Sequence, residues 1–200
     1  MARPREFDEE AVLDAALQRF WSHGYEATSV RDLIARTGLT AASLYNAFGD
    51  KRSLYEKSLS RYVGGSVDER IRRCSALPAR EALRAFFAEI VERSLGDRDH
   101  KGCMVVNAAL EVAPHDAEFR KAIAATLVRI ETFFRDRVAA GQADGTIGRA
   151  LPPEALARHF LGVLMGVRVL ARARPERALL EGVVAPALAL LDMPAREAGA

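Results

Sequence analysis

The sequence contains only two cysteines, Cys74 and Cys103, and their spacing suggests no pairing. This excludes a disulfide scaffold and points to a reduced, intracellular protein. No apolar run reaches membrane-spanning length. The most apolar stretch, Leu156 to Ala171, is interrupted by Arg158, His159 and Arg168, which argues against a spanning segment. The first ten residues, MARPREFDEE, have basic residues with no apolar stretch behind them, so they are not read as a secretory signal. A cytoplasmic location is expected. An excess of one charge is also missing, because 29 Lys and Arg face 27 Asp and Glu for a net charge of +2. Global charge therefore does not argue for nucleic acid, and any DNA binding must come from local placement. No phosphate loop or nucleophile–base–orienter spacing is present, and no cofactor is expected. His100, Cys103 and His115 fall short of a four-ligand zinc pattern.

What remains is helical patterning over 200 residues, with 50% hydrophobic and 28% charged positions. That length suits one domain, or a small module plus a larger one. A short arm with Arg3 and Arg5 has two readings: a solvated terminus, or an arm that meets phosphate or a minor groove. The first helix spans Asp8 to His23, with Val12, Leu13, Ala16, Leu17, Phe20 and Trp21 at helical spacing and acids in its first turn. The pair Phe20-Trp21 is read as core.

The chain is organised around SVRDLIARTGLTAASLYNAFGDKRSL, Ser29 to Leu54. Ser29 is an N-cap, and Gly38 sits where a C-cap needs positive φ. Thr40 caps a helix from Ala41 to Phe48, in which Ala41, Leu44 and Phe48 face inward. Ala42, Ser43, Tyr45 and Asn46 remain outside. Asp50 caps the next helix, which starts at Lys51. This is the outline of a helix-turn-helix.

Residues 51 to about 74 read as one long connecting helix or two shorter ones, weakened at Gly64-Gly65. Arg70, Arg72 and Arg73 at its end are read as a solvated face. Pro78 marks a boundary. Helices are then expected at Ala79 to Leu95, Cys103 to Val112, Asp116 to Ala140, Pro153 to Ala173, and from Pro175 or Glu176 to about Met193, with a loose tail. The expected fold is all-α: an N-terminal three-helix module (residues 1–50) with its connecting helix, and a larger C-terminal helical domain (residues 75–200), about nine helices in total.

The pattern GLTAASLYNAFGDKRSL, followed by a connecting helix and a larger helical part, resembles the TetR/AcrR family of bacterial transcriptional regulators. The close match covers about the first third of the chain, and GCMVVNAALE with APHDAEFR resembles one subgroup. The resemblance implies a homodimer that binds operator DNA through its N-terminal modules and releases it when a small molecule occupies the C-terminal domain. It also implies that Thr40, Ala41, Ala42, Ser43, Tyr45 and Asn46 face DNA, with Ser29 and Arg31 at the start of the second helix and Lys51 as a phosphate contact. The side chains suit these roles: Asn46 can pair with adenine, Arg31 with guanine, and the Tyr45 hydroxyl with phosphate. Ala41 and Ala42 offer no hydrogen bonds, and Ala47 stands where many members carry histidine.

Effector candidates are Phe86, Phe87, Ile90, Met104, Leu110, Phe133, Phe134, Phe160 and Met165, each of which can equally be ordinary core. Asn107 and His159 are added because polar groups on apolar helices need partners. Cys103, at a helix start near Lys101, has two readings, a small buried hydrophobe or a thiol switch. Some members of the family with a similar stretch respond to electrophiles or oxidants through a cysteine. The dimer surface is assigned to Leu161, Gly162, Gly166, Val169 and Leu170, with Leu180, Val183, Val184, Leu188 and Leu191 on the last helix; these residues also suit an intrachain core. A small helical enzyme using Cys103 or His159, and a helical adaptor, are the other classes considered.

Overall fold

A computed structural model describes residues 7–194. The arm with Arg3 and Arg5 and most of the tail lie outside the described residues. Nine helices run through that span with no strand among the described residues. They are α1 (Glu9–His23), α2 (Val30–Thr37), α3 (Ala41–Phe48), α4 (residues 51–75), α5 (Ala79–Leu95), α6 (Met104–Glu111), α7 (Ala117–Ala143), α8 (Pro153–Ala173) and α9 (Arg177–Ala189).

Capping sets the N-terminal boundaries. The Asp8 carboxylate accepts from Glu10 and Ala11 N–H groups. Ser29 and Asp32 form a reciprocal capping box, and Gly38 ends α2 at φ 72°, a left-handed conformation open to glycine without a Cβ penalty. Thr40 caps α3 through Ser43 N–H, and Asp50 caps α4 through Ser53 N–H. Leu17, Phe20, Leu33, Leu44, Phe48 and Leu54 are buried and close the module's small core.

α4 is continuous but not uniform. Lys51–Tyr62 and Glu69–Ser75 are α-helical, and Val63–Asp68 between them is wound as a π-helix. Gly64 and Gly65 lie in this wider segment, as their low helix propensity favours. α4 packs along α1 below and against α5 and α7 above. The C-terminal core is an aromatic cluster. Phe134 lies 5.0 Å from Phe86, 5.6 Å from Phe87 and 5.8 Å from Phe160 between ring centroids.

The two parts are joined by specific bonds. Arg52 on α4 makes a two-pronged ion pair with Asp116, the N-cap of α7, at 2.7 and 3.0 Å. Glu111, at the end of α6, accepts from the Tyr25 and Glu26 N–H groups at 3.1 and 2.8 Å, holding the α1–α2 loop. Tyr55 stacks edge-on with Phe20 at 5.0 Å and Phe119 at 5.4 Å. The Arg52 hydrogen bond, aided by α7 N–H groups, pulls the Asp116 carboxyl from its ordinary 3.8 down to about 2.

A depressed carboxyl pKa stabilises the fold above its unfolded value, and the contribution is lost as pH falls through the folded value. The latch should therefore weaken between about pH 4 and pH 2. Asp116→Asn keeps a capping oxygen but loses the charge. We expect its urea midpoint at pH 7 to fall below that of the parent, and the gap to close by pH 2. A gap that persists unchanged at pH 2 would show that the ion pair is not its origin.

Candidate DNA-reading surface and sensor chamber

The outer face of α3 is built by what its inner face buries. Leu44 and Phe48 point into the module core, which turns Ala42, Tyr45 and Asn46 outward. Tyr45 is 40% exposed although it is a large aromatic. Ala41 and Ser43 are half-buried. Thr40 Oγ1 accepts from Ser43 N–H at 3.2 Å and donates to Ser43 Oγ at 3.0 Å, so the Ser43 proton remains free to donate outward. Arg31 and Asn46 are exposed with no side-chain partner among the described residues. Lys51 begins α4, its ammonium 4.3 Å from the Tyr25 ring centroid. Ser29 is more committed. Its hydroxyl donates to Asp32 Oδ2 at 2.7 Å, and Asp32 in turn meets Arg19 at 3.1 Å. Ser29 is first a helix cap, and its hydroxyl could donate to a phosphate only by giving up that bond.

In the C-terminal domain, a cleft of about 410 Å³ opens between α1, α4, α8 and the loop after α5. Trp21, Tyr62, Ser66, Arg93, Lys101 and Arg168 are among its walls. Beneath it lies an inner pocket of about 20 Å³, which shares Tyr62, Ser66 and Arg168 with the cleft and adds Arg70, Phe86, Ile90, Cys103 and Met165. That inner space holds about one water. Burial and the neighbouring Cys103 push the Tyr62 hydroxyl far above its ordinary pKa, so it stays protonated. Trp21 Nε1 donates to the Gly102 carbonyl at 3.0 Å, and its ring lies 5.0 Å from that of Tyr62. One wall of the cleft thus belongs to α1 of the DNA-reading module.

The profile for bacterial regulatory proteins of the tetR family matches residues 12–57, and that for the tetracyclin repressor-like C-terminal domain matches residues 79–185. Together they account for the reading module and most of the remainder. The chain belongs to the TetR family. It is 30% identical over 196 residues to the uncharacterised HTH-type regulator YezE of Bacillus subtilis, covering 96% of this chain and 100% of that protein. It is also 30% identical over 172 residues to the repressor ComR of Escherichia coli, covering 85% and 82% of the two chains. Among solved structures, a cysteine mutant of the TetR-family regulator CifR, bound to 26-bp operator DNA, superposes with a TM-score of 0.84 at 34% identity, covering 95% of this chain and all of that one.

As a TetR-family protein the chain is a ligand-responsive, DNA-binding transcriptional regulator and not an enzyme. No helix is long and apolar enough to cross a membrane among the described residues. The effector residues expected from sequence separate into groups. Phe86, Ile90, Cys103 and Met165 do line the inner pocket. Phe87, Phe134 and Phe160 are close-packed core, and Met104 is fully buried outside the pocket wall. Phe133 borders an outer groove between α4 and α7. Leu110 is 71% exposed, and His159 is also on the surface, so neither faces the interior. Asn107 is satisfied by its neighbours: its amide donates to the Lys101 carbonyl at 2.9 Å and accepts from Arg172 at 2.8 Å, tying α6 to α8.

Cys103 is buried at the N-cap of α6. The Lys101 ammonium turns away to the Trp21 ring at 4.8 Å and to Asp99 at 3.4 Å, so the sequence neighbour is occupied elsewhere. The expected dimer residues also divide. Leu180, Val184 and Leu191 are buried within the chain, because α9 packs on α8 and α5. Val169 is 50% exposed, and Leu161, Leu170, Val183 and Leu188 are half-buried. A Cβ built on Gly162 or Gly166 would meet nothing within 4 Å.

Sequence reasoning missed Tyr62, Ser66, Arg70 and Arg168 as chamber residues. Arg70 was placed with Arg72 and Arg73 on a solvated face, yet it is only 2% exposed. Arg72 does face solvent, paired with Glu69 at 2.6 Å. The available signal was Arg168, a charge in the middle of the most apolar helix.

Proposed function

We propose that the protein is a cytoplasmic homodimeric repressor which binds an operator through α3 of each copy and leaves it when a small molecule enters the cleft beside Trp21 and Tyr62. The observation that carries the DNA reading is the outer face formed by Tyr45 and Asn46 on α3 with Arg31 on α2, unpaired among the described residues and held on capped helices backed by a buried core. Residues 1–50 read, residues 51–74 connect, and residues 75–200 sense and dimerise. A CifR cysteine mutant is complexed with a 26-bp double-stranded operator, and likeness to it supports a duplex site of two half-sites here. Thr40 and Ser43 approach phosphate at the N-terminus of α3, where free N–H groups favour anions. Ala41 and Ala42 allow close approach and can touch a thymine methyl. Cys103 presents a thiol to the same chamber, so an electrophile that fits it would act as inducer.

Selection of bound sequences from random duplexes tests the reading and should return a palindrome. Arg31→Ala or Asn46→Ala should each cost about 1–3 kcal/mol at one base pair and flatten preference there. Lys51→Ala and Tyr45→Phe should instead weaken binding to all sequences alike, and Lys51→Ala should lower the salt slope by about 1. Enrichment of no sequence at all would overturn the proposal.

A further inference from the structure

The chamber is unevenly charged: among the described residues the cleft wall carries one carboxylate, Asp97, which accepts from Gly102 N–H, against Arg93, Lys101 and Arg168. Arg168 is 8% exposed, yet it has no carboxylate partner among the described residues; its one hydrogen bond is to Ser94 Oγ at 3.3 Å. Arg70 is 2% exposed and its Nη2 has no hydrogen-bond partner. Its Nε lies 3.1 Å from Glu89 Oε1 but without hydrogen-bond alignment, so neither atom is satisfied. Glu89 is shared, meeting Arg73 at 2.7 Å and Arg93 at 2.9 Å as well. Glu89 therefore faces three guanidiniums, of which Arg73 also meets Glu69 at 3.4 Å, and Arg168 adds a fourth charge nearby. Burial, and then repulsion from Arg168, depress the Arg70 pKa. Arg70 keeps an ion pair with Glu89 and lies 5.6 Å from the Phe86 ring centroid, but buried guanidiniums whose N–H groups are left this incompletely satisfied are unfavourable, and the fold gains nothing from placing two together.

Both guanidiniums belong to the inner pocket, and Arg168 also opens on the cleft of about 410 Å³. Surface grooves of similar size differ in this respect. The grooves between α4 and α7 carry charges that are already matched, Arg52 with Asp116 at 2.7 Å and Arg129 with Asp68 at 3.2 Å. The chamber also offers neutral donors, the Tyr62 hydroxyl and Ser66, beside apolar walls from Trp21, Phe86 and Ile90. A planar acceptor with two oxygens is the group that a guanidinium fork recognises best.

We propose that the effector is a small organic acid, whose carboxylate docks on Arg168 at the mouth of the inner pocket, within the field of Arg70 behind it, while its apolar body fills the cleft against Trp21. This rests on the regulator reading above and names the ligand class of that same chamber. Binding would supply the missing negative charge and draw together α4, which carries Arg70 and begins at Lys51, and α8, which carries Arg168. Entry past Trp21 and Tyr62 would at the same time disturb the wall contributed by α1. The ligand would thus act on both supports of the reading module.

The test uses the full-length protein and acids paired with neutral isosteres: benzoate with benzamide, phenylacetate with phenylacetamide, octanoate with methyl octanoate. Binding is read without DNA by thermal shift and calorimetry, and release is read by fluorescence anisotropy on the selected operator. At least one acid should bind and release at concentrations about 10- to 100-fold lower than its neutral partner, the range expected for hydrogen bonds to charged groups. Arg168→Met should abolish that preference and raise the melting midpoint of the free protein, because an unpaired buried charge is replaced by an apolar chain. Arg70→Lys should keep a weakened preference. Operator binding by each variant reports that it is folded. Equal potency of acid and neutral partner, an unchanged acid preference in Arg168→Met, or no binding across the panel overturns the proposal. Failure to bind any operator, with acid binding intact, would instead sink the regulator reading alone.

Discussion

Val169→Glu should convert the protein into a folded monomer whose operator affinity is lower by about 10²- to 10⁴-fold, the gain that linking two binding modules typically supplies. The side chain is half-exposed in the single chain, so the substitution leaves the intrachain core intact. Its neighbours on α8 explain the size of the effect. Gly162 and Gly166 have open space where a Cβ would stand, which lets a second helix approach closely. Leu161 and Leu170 flank them, with Val183 and Leu188 on α9. In the dimer seam we propose on this face of α8 and α9, a carboxylate at position 169 would be buried without a partner. Light scattering should report one chain in place of two, and anisotropy the loss of operator. The matched control is Leu110→Glu, which is more exposed but lies on α6, and it should remain a dimer with full affinity. A dimeric Val169→Glu protein that binds normally would place the interface elsewhere.

How far these features were legible from sequence depended on how local their causes are. Caps and turns are local, and Ser29, Gly38, Thr40 and Asp50 all sit where their chemistry puts them. The outer face of α3 follows from the spacing of Leu44 and Phe48. The end of α4 did not follow. ERIRRC looks solvated because three of its six residues are arginine, but Arg70 lies three residues after Val67 and four before Cys74, both buried, so it continues the inner face of α4 while Arg72 points to the opposite side. Leu110 failed for the opposite reason. α6 is apolar on most sides, and its first turn, Met104 to Val106, is buried all round, but its last turn emerges from the core and leaves Leu110 in solvent. The latches at Glu111 and Asp116 join residues 64 to 86 positions apart, and nothing in either local sequence marks them.

Phe134→Ala should destabilise the protein by about 3–5 kcal/mol, the usual cost of removing a buried phenyl ring. Its ring is fully enclosed and is shared by Phe86, Phe87, Phe133 and Phe160, which come from α5, α7 and α8. Its loss leaves a void that three helices must collapse into together, and their packing does not allow it. For a chain of this length the melting midpoint should fall by about 6–20 °C. Phe133→Ala should cost less, since that ring borders an outer groove that water can fill. The same variant tests how the two parts of the chain are coupled. The reading module is held through Tyr55 against Phe119 and through Arg52 against Asp116, both on or at the start of α7. α7 also carries Phe134, so unfolding it releases the module's supports. In urea, the Phe134→Ala protein should therefore lose helicity and operator binding in one transition. Two separated transitions would show that the module stands without α7, and a loss under about 1 kcal/mol would show that the cluster is not packed as described.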